Sequence, residues 1–425
     1  MNEKELDKIL NGLLSTGSKI SYLKSLKNKS IELIKKDLSL REVFFLIENV
    51  IQNKTESFLC DKNEYDVNYI SGISTGIYLY DNGSYKFKVL GGTTKREGSE
   101  YIDENTLFDI ASITKLFTLI LLFKLKDLDL INLNSKISDI NPDITGLEDY
   151  TINDLIRLHG ILRTDGNIVD ASSYDEAYEI FKTVYLEDSS KEKNTYTDFG
   201  AMVIGDTICK IISNEYDRQL NLAEIMDMFI FDPLGIKNTT YTPSKINISG
   251  NNNNLGLPHD PKAKRLGSKT GHAGLFTNSE DLMILAEGLF NKYLSDEYTR
   301  KLGEITFDYS PKGNLGVYVK HPLGWKYTYT PPEFSTGSFS HQGWTGPISA
   351  FDINNKIHNS ILVNSIYDTD NECEVINNKP IGYKSRFNFY QSEITKSIML
   401  MYILKKYYNN YIGVKEDINS VKLVR

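Results

Sequence analysis

Residues 106–115 read Thr-Leu-Phe-Asp-Ile-Ala-Ser-Ile-Thr-Lys, and an apolar run follows at residues 116–123. The apolar run predicts one buried helix over residues 107–130. Within this stretch Ser112 precedes Lys115 by three residues, a spacing that places both side chains on one face of a helix. An amine so placed can take the hydroxyl proton, which turns serine into a nucleophile that can be acylated.

The Ser-x-x-Lys spacing alone is a weak signal, because it recurs at residues 21–24 and 190–193 in polar surroundings. Ser112 differs in lying where the chain enters an apolar helix, whose first N–H groups and dipole favour negative charge. Burial would also disfavour the charged form of Lys115. We therefore expect the pKa of this lysine to be lowered toward neutrality, as a general base requires.

The composition narrows the class of protein. The chain of 425 residues has 48 basic and 56 acidic side chains, a net charge of −8, so no nucleic-acid partner is predicted. No apolar run approaches the ~20 residues of a membrane span, and the first residues lack the apolar region of a secretory signal. Three widely spaced cysteines suit a reducing compartment, so we predict a cytoplasmic protein. Phosphate-binding glycine motifs are missing, so no cofactor is predicted.

Residues 1–56 carry leucine and isoleucine at helical spacing, which predicts a helical extension. This extension packs on the body of the protein or, as the alternative, mediates self-association. Two strand-like segments at residues 73–80 and 85–90 flank Asp81-Asn82-Gly83, a turn sequence typical of a β-hairpin.

Strand-like alternation returns after residue 305, and a last helix is predicted at residues 391–408. Strands near both ends of a chain with a helical middle predict one sheet completed by distant segments. The predicted units are a helical N-terminal extension at residues 1–60, an α/β sheet domain formed by residues 61–130 and 301–425, and a helical subdomain at residues 131–300.

Residues 106–115 resemble the nucleophile segment of serine β-lactamases and penicillin-binding proteins. The resemblance is strongest to the class C β-lactamase-like branch, which also contains esterases and D-amino-acid peptidases, and it extends over roughly residues 65–425. It implies an α/β (α+β) fold with an antiparallel sheet flanked by helices, a helical subdomain and a cleft between them. Further matching segments are residues 127–130, 150–155, 232–236, 258–260 and 271–277.

The second motif of this family is Tyr-x-Asn, and Tyr196-Thr197-Asp198 resembles a variant that ends in aspartate. The resemblance implies that Tyr196 moves a proton between the nucleophile and the leaving group. Asp198 replaces an amide, and when ionised it only accepts hydrogen bonds. We expect Asp198 to border the substrate.

Two segments compete for the third motif. Lys269-Thr270-Gly271 matches the family's Lys-Thr-Gly literally but has a loop-to-helix context, whereas the motif must form an edge strand. We favour His341-Gln342-Gly343, which resembles the His-x-Gly form of esterase-like members and precedes strand-like residues 347–353. The resemblance then implies an oxyanion hole built from the backbone N–H groups of Ser112 and Trp344. Gln342, Gly343 and Trp344 are the predicted substrate contacts.

The expected activity is that of a serine hydrolase that forms an acyl-enzyme on Ser112. A lysine at the first position of the third motif would hold a substrate carboxylate, whereas His341, with an unperturbed pKa of ~6.5, is mostly neutral. We therefore expect small-molecule or peptide substrates with a neutral ester or amide. This predicts a carboxylesterase or a D-amino-acid-type peptidase. The alternatives are a β-lactamase or penicillin-binding DD-peptidase, and a catalytically silent binding protein. A metal site on His259, Asp260 and His272 can be drawn, but we predict none.

Overall fold

The computed structural model describes residues 48–49, 51–56, 59, 70, 72–80, 84–94, 100–157, 160–187, 196–244, 248–249, 256–304, 307–309, 318–320 and 337–363. The predicted helix at residues 391–408 and most of the predicted extension at residues 1–60 lie outside these ranges.

The strands are β1 Gly72–Tyr80, β2 Ser84–Gly92, β3 Leu107–Asp109, β4 Leu162–Arg163, β5 Tyr185–Leu186, β6 Ile248–Ser249, β7 Phe276–Thr277, β8 Phe307–Tyr309, β9 Tyr318–Lys320, β10 Phe339–Gln342, β11 Ile348–Asp352 and β12 Ile357–Val363. The α-helices are α1 Thr114–Asp127, α2 Ile137–Ile140, α3 Ile152–Ile156, α4 Tyr174–Lys182, α5 Phe199–Glu215, α6 Leu222–Met226, α7 Asp232–Leu234, α8 Pro261–Arg265, α9 Ser279–Phe290 and α10 Asp296–Leu302. There are also two 3-10 turns, Ala111–Ile113 and Ile168–Asp170, and a π-helical segment, Asp227–Phe231.

An antiparallel five-stranded sheet has the order β10-β11-β12-β1-β2. The predicted hairpin is formed by β1 and β2, whose register places Tyr80 opposite Ser84. Strand β12 pairs with β1 on one side and with β11 on the other, so early and late parts of the chain complete one sheet. Helix α9 packs on β1 and β12. The predicted α/β fold with an antiparallel sheet and flanking helices is confirmed.

Helix α1 is buried from Thr114 to Phe123, because other elements surround this part of it. Phe117 packs edge-on against Phe231 and Phe123 packs against Tyr298, so the helix joins the π-helical segment to α10. Helix α5 also contacts α1, as well as α3 and α6. The helix that carries Lys115 is therefore fixed on several sides by apolar packing.

The prediction of one helix over residues 107–130 was wrong at its start. Residues 107–109 form strand β3, which pairs with β6 and β7, and α1 begins at Thr114. The physical reason is Ala111, whose φ of 44° lies in the left-handed region that an α-helix cannot include. The nucleophile segment is thus a strand, a tight turn and a helix in succession.

The end of the predicted N-terminal extension packs on the sheet. Residues 48–49, 51–56 and 59 are helical, and the Tyr85 hydroxyl of β2 donates a hydrogen bond to Glu48. A Cβ placed on Gly91 would touch Leu59 and Thr55, so this segment lies directly against β2. Self-association through residues 1–56 stays a prediction. Among the helices that the structure describes, none combines the length and apolar character needed to cross a bilayer.

Candidate active site

Ser112 lies in the 3-10 turn between β3 and α1, and the Asp109 carboxylate holds this turn in shape. Asp109 Oδ1 accepts a hydrogen bond from the Ala111 N–H at 2.8 Å, and Oδ2 accepts one from the His259 N–H at 2.7 Å. Ala111, directly before Ser112, has a backbone conformation that residues with a Cβ rarely adopt. Asp109 therefore stabilises a strained turn that presents the Ser112 hydroxyl.

Burial raises the pKa of Asp109 from its ordinary value of 3.8 to about 6, although the two backbone hydrogen bonds act in the opposite direction. Because the folded state binds this proton more tightly than the unfolded chain, the stabilising contribution is fully present below about pH 4. It is lost as the pH rises through about 6, a change of about 3 kcal/mol.

Asp109→Asn removes this titration. We expect the free energy of unfolding of the variant, relative to wild type, to rise by about 3 kcal/mol between about pH 4 and about pH 6 and then to level off. Urea unfolding of both proteins at a series of pH values measures this difference. A difference that does not vary with pH would show that burial of the Asp109 carboxylate does not govern its ionisation.

Lys115 lies at the centre of the site, with no exposed surface. Its Nζ donates hydrogen bonds to Ser112 Oγ at 3.0 Å, to Asp198 Oδ1 at 2.9 Å and to the His272 carbonyl oxygen at 3.3 Å. The same Nζ lies 5.0 Å from the centroid of the Tyr196 ring. The structure therefore brings Ser112, Lys115, Tyr196 and Asp198 together, as the sequence predicts.

The expected lowering of the Lys115 pKa is wrong. Burial of the ammonium would lower the pKa, but electrostatic attraction and hydrogen bonding to Tyr196 and Asp198 outweigh burial and raise it. Sequence reasoning considered only desolvation, because the partner carboxylate is distant in the chain. Lys115 is consequently an ammonium at neutral pH, suited to stabilise negative charge on Ser112 Oγ.

A second lysine that sequence reasoning missed contacts the same carboxylate. Lys262 Nζ lies 2.9 Å from Asp198 Oδ2, so each carboxylate oxygen of Asp198 pairs with one ammonium. Burial opposes ionisation of Asp198, but the charges of Lys115, His272 and Lys262 prevail and hold its pKa well below the usual range. Asp260 followed by Pro261 signals the start of helix α8, which carries Lys262, yet nothing in the sequence links Lys262 to Asp198.

His272 and Asp260 contact each other close to Lys115 and Lys262. His272 Nε2 is 3.0 Å from Asp260 Oδ1, and this oxygen also accepts a hydrogen bond from the Ala263 N–H. Ligand atoms of Asp198, Asp260 and His272 lie within 4.8 Å of one another, close enough to hold a metal ion. However, Asp198 already pairs with two ammonium groups, whose charge repels a cation, so this donor set does not fit a metal.

The predicted third motif begins on β10, which lies at the edge of the five-stranded sheet that the structure describes, and ends in the turn after it. His341 is buried on β10, and its ring centroid lies 5.9 Å from that of Tyr196. A Cβ on Gly343 would lie 2.6 Å from the Ile110 carbonyl oxygen, so the turn after β10 is in tight contact with the segment before Ser112. Thr345 Oγ1 donates a hydrogen bond to the Asp109 carbonyl oxygen at 2.7 Å, which also holds the turn after β10 against the nucleophile segment.

Trp344 forms the outer surface of this turn. Its side chain is 65% exposed, and its ring centroid lies 5.0 Å from that of His259. By contrast, Lys269 is exposed, and Thr270 and Gly271 are buried in a segment outside the described strands. The structure thus places His341-Gln342-Gly343 beside the nucleophile segment on an edge strand, and it does not place Lys269-Thr270-Gly271 on one.

The two third-motif candidates predict different mutational effects. We expect His341→Ala to lower kcat/KM by about tenfold or more, which corresponds to about 1.4 kcal/mol of transition-state stabilisation, because the ring beside Tyr196 is lost. Lys269→Met should change kcat/KM by less than about twofold, as for most exposed surface positions. Steady-state kinetics on an activated ester measures both variants. A larger loss in the lysine variant would reverse the assignment.

The fold and the contacts among Ser112, Lys115 and Tyr196 can now be set beside known proteins, and this comparison gives the family. Residues 69–376 match the family model described as Beta-lactamase. The chain belongs to the beta-lactamase family and is a serine hydrolase of that family.

Individual relatives are distant. A protein of Salmonella agona (strain SL483) named "Putative D-alanyl-D-alanine carboxypeptidase" is 26% identical over 363 aligned positions, covering 71% of this chain and 80% of the relative. Among solved structures, D-amino acid amidase from Ochrobactrum anthropi SV3 in complex with L-phenylalanine amide is 16% identical, with a TM-score of 0.58 over 86% of this chain and 99% of the amidase. A class C beta-lactamase is 15% identical, with a TM-score of 0.59 over 83% of this chain and 96% of the β-lactamase. These two structures support the fold.

Proposed function

We propose that this protein hydrolyses a neutral ester or amide through an acyl-enzyme on Ser112, as a carboxylesterase or a D-amino-acid-type peptidase or amidase. The observation that carries the proposal is the position of Lys115 Nζ, which contacts Ser112 Oγ at 3.0 Å and Asp198 Oδ1 at 2.9 Å within a buried site. A hydroxyl held by a buried ammonium at the start of a helix is suited to nucleophilic attack.

The proton of Ser112 needs an acceptor other than Lys115, which is already an ammonium. We assign this role to the Tyr196 side chain after the Lys115–Tyr196 pair has released one proton to solvent, since Tyr196 interacts with Lys115 through charge and hydrogen bonding. Ser112 Oγ then forms a bond to the carbonyl carbon, and its proton passes to Tyr196 and on to the leaving alcohol or amine. A water molecule releases the acid by the reverse transfers and restores the serine.

The oxyanion of the tetrahedral intermediate is assigned to the backbone N–H groups of Ser112 and Trp344. Support comes from the turn that carries Trp344, which Gly343 and Thr345 attach to Ile110 and Asp109. The Trp344 N–H donates to no other residue in the described part of the chain. Preorganised donors of this kind typically contribute ~3 kcal/mol each to transition-state stabilisation.

The charges of the site favour a neutral substrate. Lys115 and Lys262 both pair with Asp198, so their positive charge is partly neutralised before a substrate arrives. The third motif begins with His341. A lysine at this position, as in the family's Lys-Thr-Gly motif, would attract a substrate carboxylate. Ester and amide substrates without a terminal carboxylate fit this electrostatic environment better than β-lactams.

A β-lactamase or DD-peptidase is the second candidate. It is supported by the Salmonella relative, whose name refers to D-alanyl-D-alanine carboxypeptidase activity. A catalytically silent binding protein is the third, although the contact between Lys115 and Ser112 argues against it.

Labelling by a fluorophosphonate probe, followed by mass spectrometry, tests whether Ser112 reacts. We expect one adduct, on the peptide that contains Ser112. Turnover of an activated ester, a D-amino acid amide, a peptide ending in D-Ala-D-Ala and a labelled penicillin then separates the candidates. Preferential turnover of the ester or amide supports the proposal, preferential turnover of the last two supports the second candidate, and absence of both adduct and turnover supports a silent protein.

A further inference from the structure

Lys262 contacts the active site without contacting the nucleophile. It lies in the first turn of α8, and its Nζ reaches Asp198 Oδ2 at 2.9 Å while Lys115 Nζ occupies Oδ1 at the same distance. Its side chain is only one quarter exposed, which strengthens its electrostatic interaction with neighbouring charges. Asp198 therefore forms a bridge of one carboxylate between two ammonium groups.

We propose that Lys262 is a positioning residue of the acylation site, which shares Asp198 with Lys115 and so limits how strongly this carboxylate retains the Lys115 proton. This inference rests on the proposed function, because it concerns the proton transfers that accompany attack by Ser112.

The balance of charges around Asp198 affects how strongly Lys115 holds its proton. A single carboxylate attracts Lys115 less when a second ammonium shares it, and the two ammonium groups also repel each other. Asp198 and Asp260 raise the pKa of Lys262 against its burial, and the charge of Lys115 acts in the opposite direction. By reciprocity, the charge of Lys262 also disfavours the proton on Lys115. The reactive form of the site has one proton fewer on the Lys115–Tyr196 pair than the resting form. The positive charge of Lys262 favours that form whichever member of the pair carries the remaining proton.

Groups from several elements face this bridge and set its charge. Tyr196 and Asp198 precede α5, Asp260 caps α8, His272 contributes its ring from the segment before β7, and His341 lies beside Tyr196 on β10. Lys262 is attracted by both Asp198 and Asp260. Without the charge of Lys262, Asp198 would pair with Lys115 alone, and Lys115 would retain its proton to a higher pH.

The pH dependence of labelling provides the test. The rate at which a fluorophosphonate labels Ser112 is measured in the full chain over the pH range in which the protein stays folded. We expect Lys262→Met to move the acidic limb of this profile upward by about one pH unit, so that labelling on that limb is about tenfold slower. In Asp198→Asn/Lys262→Met, the loss of the carboxylate offsets the loss of the ammonium and returns the limb toward its wild-type position.

Two further variants control the test. Lys264→Met removes an exposed positive charge from the same helix and should leave the limb in place. Lys262→Arg keeps the charge and should also leave the acidic limb in place, whereas Lys262→Gln should shift the limb. These two variants test the inference even if Lys262→Met fails to fold.

An equal fall in rate at every pH, without movement of the limb, would show that Lys262 only supports the structure and would overturn the inference. Failure of the proposed function looks different. In that case wild-type Ser112 is not labelled, or Ser112→Ala is labelled as fast as wild type.

Discussion

Replacing Ser112 with alanine is expected to lower kcat on any ester or amide substrate by about 10⁴-fold or more, because it removes the hydroxyl of the proposed acyl-enzyme. Ser112 Oγ is the atom that the buried Lys115 ammonium contacts at 3.0 Å, so its removal leaves the charge in place without a nucleophile. Single-turnover kinetics with an activated ester measures the loss.

Ser138→Ala is the matched control. This serine lies on α2, and its hydroxyl donates to the Glu148 carbonyl oxygen at 3.0 Å. We expect it to retain wild-type kcat, and both variants should show wild-type unfolding curves. Turnover by Ser112→Ala within tenfold of wild type would place the nucleophile elsewhere.

A second large effect, on stability, is expected for Gly271→Ala. A Cβ at this position would lie 2.1 Å from the carbonyl oxygen of Ala201 in helix α5, a backbone atom that cannot move without displacing the helix. The Gly271 carbonyl oxygen also accepts a hydrogen bond from Thr118 Oγ1 at 2.7 Å, so the segment is held between α5 and α1. We expect the free energy of unfolding to fall by about 3 kcal/mol or more, as measured by urea denaturation.

Gly166→Ala provides the comparison. The nearest atoms to a new Cβ there belong to Ile180 at 3.4 Å, an ordinary van der Waals distance, so a change of less than about 0.5 kcal/mol is expected. Gly271→Ala should also slow acylation, because the adjacent His272 carbonyl oxygen accepts a hydrogen bond from Lys115. Equal stability of the two variants would contradict the tight contact with α5.

Features that depend on neighbouring residues were predictable from the sequence. The β1–β2 hairpin follows from the alternating strands around Asp81-Asn82-Gly83, and the Ser112–Lys115 contact follows from their three-residue spacing. The split sheet was predicted because strand-like patterns stand on both sides of a helical region.

Features that depend on distant residues were not predictable. The raised pKa of Lys115 comes from Asp198, and the second ammonium on Asp198 comes from Lys262, which only folding brings near. The sequence does not reveal strand β3, because its two apolar residues, Leu107 and Phe108, carry no period of their own and its partners β6 and β7 lie far along the chain.

The strand order has a consequence for how the enzyme becomes active during its synthesis. The nucleophile segment, α1 and the hairpin leave the ribosome well before β10, β11 and β12. The turn in which Gly343 lies close to Ile110 follows β10 and is therefore also made late. A nascent chain can expose Ser112 but cannot yet place the turn that follows β10 opposite it. On the proposed mechanism, Ser112 therefore gains a complete oxyanion hole only after β10 and the turn that follows it have been made.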